Sequence, residues 1–184
     1  GPVTAASQYR PTAVVLPGLA QLSGAYTDAP IDADNNGEAE ALRITVGVNV
    51  TAAAAYQVVG WLQSGAGADL AWAYATANLS PGTQQVPLDF DGKLLRLQGV
   101  NGPYKLAHIE LRTGDDGDVV DFTDNAYTTA AYAATGFAAP PAAFSGTFTD
   151  SGVDNNGNGL FDTLNVNVGV QVNSASNYTL VGWL

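Results

Sequence analysis

Two acidic loops carry side chains whose types and spacing are suited to binding a metal ion. One loop runs from Asp32 to Glu40 and the other from Asp154 to Asp162. In both loops, side chains that contain oxygen occupy positions 1, 3, 5 and 9, and glycine occupies position 6. Calcium takes roughly six to eight oxygen ligands, and glycine at position 6 allows the sharp turn that brings them together. The spacing therefore predicts a calcium site in each loop.

The two predicted sites differ in charge. The first has as ligands the side chains of Asp32, Asp34, Asn36 and Glu40 and the main-chain carbonyl of Glu38. The second has the side chains of Asp154, Asn156, Asn158 and Asp162 and the main-chain carbonyl of Leu160. The first loop thus offers three carboxylates and the second offers two. Because calcium affinity depends on the number of charged ligands, we expect weaker binding in the second loop.

Both loops differ from the loop of a helix–loop–helix calcium switch. Position 12, where such a switch carries a bidentate glutamate, is Arg43 in the first loop and Asn165 in the second. The residues that follow alternate between apolar and polar, which predicts a strand rather than a helix. A bound ion would therefore be structural and would tie the loop to the start of the strand. The alternative is a polar, Asn/Gly-rich turn that binds no metal.

The two loops belong to an internal repeat. Residues 23–62 and 145–184 align without a gap at an offset of 122, and 18 of the 40 pairs are identical. The chain therefore divides into 1–22, a leader or the tail of a preceding unit; 23–144, a complete repeat; and 145–184, the first third of a second repeat. A third of a repeat is too small to bury its own strands. We expect either that the natural chain continues or that another chain completes this unit.

Alternation of apolar and polar residues predicts short strands through the complete repeat. The clearest is Leu42–Val50, in which every second residue is leucine, isoleucine or valine. Its copy is expected to point inward with Leu164, Val166, Val168, Val170 and Val172. The other predicted strands are 56–62, 70–79, 83–90, 93–99, 104–112 and 119–122, whereas 126–139 is ambiguous between helix and strand.

Two dipeptides predict tight turns between neighbouring strands. Asp91-Gly92 would join 83–90 to 93–99, and Asn101-Gly102 would join the end of that second strand to 104–112. About seven short strands separated by turns predict an all-β fold, an immunoglobulin-like β-sandwich.

Composition excludes several classes of function. The formal net charge is −11, and clustered Lys and Arg for binding nucleic acid are missing. The chain has no cysteine, which excludes disulfides, zinc–thiolate sites and cysteine nucleophiles. No apolar run is long enough to insert into a membrane. With a single histidine, His108, which is expected to be structural, the chain is predicted not to be an enzyme.

Aromatic residues have two interpretations. Trp61 and Trp183 lie at matching places in the repeat and are expected to be core residues of the sandwich, the alternative being an exposed platform for sugars. In a binding module, Trp72, Tyr74 and Tyr104 would present faces on which sugars stack.

The loop spacing Asp-x-Asp/Asn-x-Asn-Gly-x-x-Glu/Asp resembles the calcium loops of thrombospondin type 3, dockerin and integrin-type proteins. The larger pattern, in which such a loop leads into an alternating strand and a Val-Gly-Trp-Leu segment, is similar to tandem β-sandwich repeats of large secreted or cell-surface proteins of bacteria and archaea. Asn-Gly-Pro-Tyr at 101–104 and the Asp-x-Ala-Tyr-Thr-Thr-x-x-Tyr segment at 124–132 are similar to further signatures of these repeats.

This resemblance implies an extracellular or cell-surface location and a non-catalytic structural role in assembly or adhesion. The incomplete last repeat favours a filament that forms by head-to-tail self-association, and a glycan or surface partner is a further possibility. The alternative function is a carbohydrate-binding or accessory module of a secreted hydrolase.

Other polar residues are candidates for minor sites. The cluster of Asp115, Asp116, Asp118, Asp121 and Asp124 predicts a solvated turn, with a further calcium site as the alternative. Asp28 and Asp150 precede the two loops at equal distances, and either could join the site or bind the backbone of a turn. Three sequons, at Asn49, Asn78 and Asn177, would be surface sites in a secreted protein.

Overall fold

A computed structural model describes residues 18–115 and 117–183, so Gly1-Pro2 and most of the predicted leader lie outside the described residues. The chain divides into two compact units, with the boundary after Ala138. The strands of the first unit are β1 (Ala20–Ile31), β2 (Ala41–Val50), β3 (Ala54–Gln63), β4 (Asp69–Leu79), β5 (Gly82–Asp91), β6 (Lys105–Thr113) and β7 (Val119–Thr128). A short helix, α1 (Gly92–Gln98), follows β5. The second unit contains β8 (Ala142–Val153) and β9 (Thr163–Val172).

The first unit consists of two antiparallel sheets. One sheet has the order β1-β2-β5 and the other has the order β4-β3-β6-β7. Buried side chains of β2, β5, β3 and β6 form a single core. The described part of this unit is therefore an all-β, sandwich-like structure with one helix.

Strand β2 forms as its sequence predicts. Leu42, Ile44, Val46, Val48 and Val50 are all buried. Because successive side chains of a strand point to opposite faces, this alternation places the whole apolar set against the other sheet.

Strand β3 faces the core with the side that does not carry its tryptophan. Tyr56, Val58 and Leu62 are fully buried, with Gly60 between them, whereas Trp61 is half-buried on the outer face. The expectation that Trp61 is a core residue is therefore wrong. Only one side of a strand can face the core. The side that carries Tyr56, Val58 and Leu62 buries more apolar surface than the side that carries Gln57.

The predicted hairpin at Asp91-Gly92 is wrong, because α1 occupies the segment that was predicted to be a strand. The Asp91 carboxylate accepts a hydrogen bond from the Lys93 amide at 2.8 Å and caps the helix. Gly92 is required by packing, since a Cβ there would lie 2.4 Å from the carbonyl oxygen of Ala39. Leu95 is buried and anchors the helix to the core.

Two other local predictions also differ from the structure. Residues 94–100 form no strand, so Asn101-Gly102 does not join a hairpin. Strand β7 continues to Thr128, well past the predicted end at 122, and so includes the first residues of the ambiguous segment 126–139. The rest of that segment is irregular apart from a 3-10 turn at Ala134–Gly136 and a bridge between Phe137 and Ala39.

The second unit repeats β1 and β2 in detail. Strands β8 and β9 pair with the register of β1 and β2 at the same offset of 122, and the irregularity between Leu22 and Tyr26 recurs between Phe144 and Phe148. The shared strands begin at Ala20 and Ala142, before the residues that align best in sequence.

The copy of β2 is not buried as predicted. Side chains of Leu164, Val166, Val170 and Val172 are exposed, and that of Val168 is partly exposed. The residues that correspond to β3 form no strand between 173 and 183, and Trp183 is 88% exposed. The reason is physical: within its described residues, this unit has no second sheet that could cover the apolar face. Throughout the described part of the chain, helices are too short or too polar to cross a membrane.

Candidate functional site

The first acidic loop lies between β1 and β2 and is fixed at its base. The Glu40 amide donates a hydrogen bond to the Ile31 carbonyl at 2.8 Å, which closes the loop where the two strands meet. The Ala39 amide donates to the Gly136 carbonyl at 2.9 Å, and the Ala39 carbonyl accepts from the Ala138 amide at 2.8 Å. The loop is therefore held both to its own hairpin and to the segment after β7.

Three predicted ligands of this loop converge. Asp32, Asp34 and Glu40 each place a carboxylate oxygen within 4.8 Å of the others. Backbone amides orient all three carboxylates. The Asn36 amide donates to Asp32 and to Asp34, both at 3.1 Å, Gly37 donates to the other Asp32 oxygen at 2.9 Å, and Ala33 donates to Glu40 at 2.6 Å. Three carboxylates at this distance repel one another, and a divalent cation bound by oxygen atoms would relieve that repulsion.

The other two predicted ligands contact this cluster from its edge. The Asn36 side-chain amide donates to Asp34 at 3.0 Å, and its carbonyl oxygen accepts from the Glu38 amide at 2.7 Å. The Glu38 carboxylate accepts from Arg96 of α1 at 3.4 Å. Arg96 also donates to the carbonyl oxygens of Thr135 and Phe137. The helix that the sequence did not predict thus supports the loop from outside.

The second loop reproduces the hydrogen bonds that backbone amides donate within the first loop. Asn158 and Gly159 donate to Asp154 at 3.3 and 2.7 Å, Asn155 donates to Asp162 at 2.8 Å, and Leu160 donates to the Asn158 side chain at 2.8 Å. The turn conformation is also shared, because the glycine at position 6 has a positive φ in each copy, 90° at Gly37 and 85° at Gly159.

The loops differ in their acidic groups. Asn156 stands where the first loop has Asp34, so among the described residues only the first loop has three carboxylates together. Asp154 accepts bonds from four backbone amides instead. These bonds, that from Gly159 above all, lower the pKa of Asp154.

Asp28 does not join the acidic loop. Its two carboxylate oxygens accept hydrogen bonds from the hydroxyls of Tyr127 and Tyr132, both at 2.5 Å. The hydrogen bond to Asp28 is the main cause that raises the pKa of Tyr127 to about 12, whereas burial comes first for Tyr132, whose pKa is also about 12. Asp28 thereby links β1 to β7 and the segment after it. Its copy, Asp150, is exposed on β8.

The acidic residues that were predicted to cluster at 115–124 contact separate partners instead. Asp115 accepts from the Thr76 hydroxyl at 2.6 Å, Asp121 accepts from the Leu22 amide at 2.8 Å, and Asp124 contacts His108 Nδ1 at 2.7 Å. Asp116 lies outside the described residues.

The outer face of the β4-β3-β6-β7 sheet carries a group of aromatic residues. Trp72 and Tyr74 of β4 are 61% and 58% exposed, and their rings are nearly parallel with centroids 5.8 Å apart. Trp61 of β3 lies directly opposite Trp72, and its ring is 5.2 Å from that of His108 on β6. Tyr104, the third residue predicted to stack on sugars, is fully buried and donates to the Val100 carbonyl at 2.8 Å, so this part of the prediction is wrong.

A shallow groove of about 860 Å³ lies on this face. It is lined by Gln57, Val59, Trp61, Trp72, Tyr74, Thr76, Arg112 and Asp115. Sequence reasoning missed Gln57 and Arg112. Strand register would have identified both, because Gln57 pairs with Thr76 on one side and with Arg112 on the other.

Residues 28–126 match the profile of a family described as the C-terminal domain of DUF4785, a domain of unknown function. No curated protein matches the chain in sequence.

Similar solved structures include a protein described as a β-galactosidase from Bacteroides fragilis, with a TM-score of 0.33 and 17% identity over 57% of this chain. They also include a β-glucosidase from Streptomyces venezuelae, with a TM-score of 0.28 and 14% identity over 54% of this chain. The chain matches 17% and 14% of the lengths of these two proteins, and the TM-scores are too low to indicate function. Because the family profile covers more than half of the 184 residues, the chain belongs to the DUF4785 C-terminal domain family.

Proposed function

We propose that this protein is a non-catalytic, calcium-stabilised structural module of an extracellular or cell-surface protein, with a role in assembly or adhesion. The observation that carries the proposal is the convergence of Asp32, Asp34 and Glu40 within 4.8 Å at the junction of β1 and β2. A calcium ion there would join the end of β1 to the start of β2, a strand of the core.

The donor set favours calcium over a transition metal. The candidate ligands are carboxylate and amide oxygens, with no histidine or cysteine in either loop. Hard oxygen ligands suit calcium and magnesium, and calcium tolerates irregular coordination geometry whereas magnesium demands a near-ideal octahedron. Neither loop has the glutamate at position 12, so we expect affinities in the range of extracellular modules, roughly 10⁻⁴ to 10⁻³ M. Measured affinities in this range would support an extracellular location.

We propose an immunoglobulin-like classification for the first unit. Its seven strands divide into sheets of three and four, with β2 and β3 in different sheets and β6 beside β3. This arrangement is typical of the immunoglobulin-like sandwich architecture. The related proposal of tandem repeats rests on the shared register and loop hydrogen bonds of the two units.

We further propose self-association through the second unit. The exposed apolar side chains of β9 and the exposed Trp183 support this, because contiguous apolar surface of this kind marks an interaction site. Sedimentation of the 184-residue chain with millimolar calcium tests it. We expect oligomers that grow with concentration, and a monomer at all concentrations would contradict the proposal.

Calorimetry tests calcium binding itself. The chain is treated with a chelator, dialysed, and titrated with calcium, and its melting temperature is measured with calcium and with magnesium. We expect heat of binding and a higher melting temperature with calcium, because a ligand that binds only the folded state stabilises it. No heat and an unchanged melting temperature would contradict the proposal.

A further inference from the structure

We propose that the outer face of the β4-β3-β6-β7 sheet binds a neutral oligosaccharide. This site is separate from the acidic loops and does not depend on calcium. Its parts are an aromatic platform, a buried amide with an unpaired oxygen, and a polar end.

The platform consists of Trp72 and Tyr74. These side chains alternate outward along β4, are more than half exposed, and lie nearly parallel at 5.8 Å. An exposed aromatic ring lacks the favourable free energy that burial would provide. Two exposed rings side by side therefore mark a binding surface. The faces of aromatic rings are electron-rich, and the C–H groups on one side of a pyranose ring are weakly positive. Flat sugar rings therefore suit this platform.

Gln57 supplies the second, independent observation. Its side chain lines the groove and the residue is only 5% exposed. Its Oε1 atom is buried and has no hydrogen-bond partner among the residues that the structure describes. A buried polar atom without a partner is unfavourable, and native structures rarely contain one without a reason. Rotation of the Gln57 side chain on ligand binding would bring this oxygen to the surface of the groove, where a sugar hydroxyl would donate to it.

The polar end of the groove favours a neutral ligand. Arg112 lines it, but its guanidinium donates two hydrogen bonds to Glu110, at 2.8 and 2.5 Å, so its charge is already compensated. Asp115 adds a negative charge at the same end, beside the hydroxyl of Thr76. With a chain charge of −11 as well, an acidic or sulfated sugar would be repelled. Donors and acceptors around an apolar platform suit the hydroxyls of a neutral sugar.

The size and shape of the groove suit a short stretch of a sugar chain. A volume of about 860 Å³ lies within the range of small-ligand sites, and the groove is open along the sheet rather than closed. Of the alternatives, a second copy of this protein would also cover the aromatic rings, and the experiment below distinguishes the two.

The test uses the 184-residue chain and two assays. Native gels cast with soluble β-glucan, xylan, galactan or pullulan measure retardation, and an array of neutral and acidic glycans extends the set of probes. The variants are Trp72→Ala, Tyr74→Ala and Gln57→Leu. The control is Leu97→Ala, which removes an apolar side chain of α1 that is 59% exposed and does not line the groove.

We expect the wild type and Leu97→Ala to bind at least one neutral glycan equally, and Trp72→Ala and Tyr74→Ala to bind it about tenfold more weakly or worse. Gln57→Leu should weaken binding while its melting temperature stays equal or rises, because the unpaired oxygen is gone. A merely structural glutamine would give the opposite change in melting temperature. Three results would overturn the proposal: no neutral glycan bound, equal binding by Trp72→Ala and wild type, or Trp72→Ala abolishing self-association rather than glycan binding.

Discussion

Two hairpins in this chain have related sequences and one local structure, but very different surroundings. The β1–β2 and β8–β9 pairs share strand bounds at an offset of 122, the same irregularity and the same hydrogen bonds from the loop amides. Yet Leu42 is 0% exposed, and its copy, Leu164, is 50% exposed. In the first unit a four-stranded sheet covers the apolar face, and in the second the described residues provide no such sheet.

This difference shows which structural features the local sequence determines and which ones require the rest of the domain. Alternation of side chains and the backbone bonds of the acidic loop are sufficient to specify the hairpin. Burial of its apolar side requires long-range partners, and most of the stability of a domain comes from that burial. The two hairpins are therefore natural controls for each other.

The largest difference is expected between matched leucine substitutions. Leu42→Ala removes a fully buried side chain and should lower the free energy of unfolding of the first unit by about 2–5 kcal/mol. Leu164→Ala, at the matching exposed position, should change the free energy of unfolding of the second unit by less than about 0.5 kcal/mol at protein concentrations too low for self-association. Urea unfolding followed by circular dichroism measures both. Similar effects of the two substitutions would show that the exposed face is covered in solution.

Alkaline pH should act on the first unit alone. In the folded chain, the pKa of Tyr127 and that of Tyr132 are raised to about 12, above the usual value near 10. Below pH 10 both tyrosines are neutral in the folded and unfolded states, so their contribution to stability is complete. Between pH 10 and about 12 the unfolded state loses their protons first, and stability falls. Melting temperatures across this range test the effect, and Tyr127→Phe should make the decline shallower; an identical decline in that variant would contradict this assignment.

A smaller effect is expected from removing the acceptor of these hydroxyls. Asp28→Ala leaves two partly buried tyrosine hydroxyls without their partner and should cost about 1–3 kcal/mol. Asp150→Ala, at the matching exposed position on β8, should cost less than about 0.5 kcal/mol. Equal costs in urea unfolding would mean that Asp28 does not link β1 to the segment after β7.

Much of the fold could be predicted from particular patterns. The alternation in Leu42–Val50 predicted β2, and Trp72 with Tyr74 was correctly predicted to share one face of β4. The helix was missed because Asp91-Gly92 suits both a hairpin turn and a helix start, and only the close contact of Gly92 with Ala39 distinguishes them. That contact joins residues far apart in sequence, so the spacing of neighbouring residues cannot predict it.

The two candidate sites also differ in whether the local sequence is enough to identify them. The oxygen-bearing residues of the acidic loop could be identified from sequence because they are local. The groove could not, because Gln57, Trp72 and Arg112 come from three strands and meet only through their register. Tyr104 was misassigned because the sequence places it beside a turn, whereas the fold buries it against Phe137.

The central claim is that the first loop binds calcium through three carboxylates, and an exchange of one residue between the loops tests it most directly. Asp34→Asn leaves the first loop with two predicted carboxylate ligands, as in the second, and Asn156→Asp gives the second loop three. Calorimetric titration of both variants with calcium should give weaker binding at the first loop for Asp34→Asn and stronger binding at the second for Asn156→Asp, each by about tenfold. Calcium affinities that equal those of the wild type in both variants, or no binding in any of the three proteins, would contradict the claim.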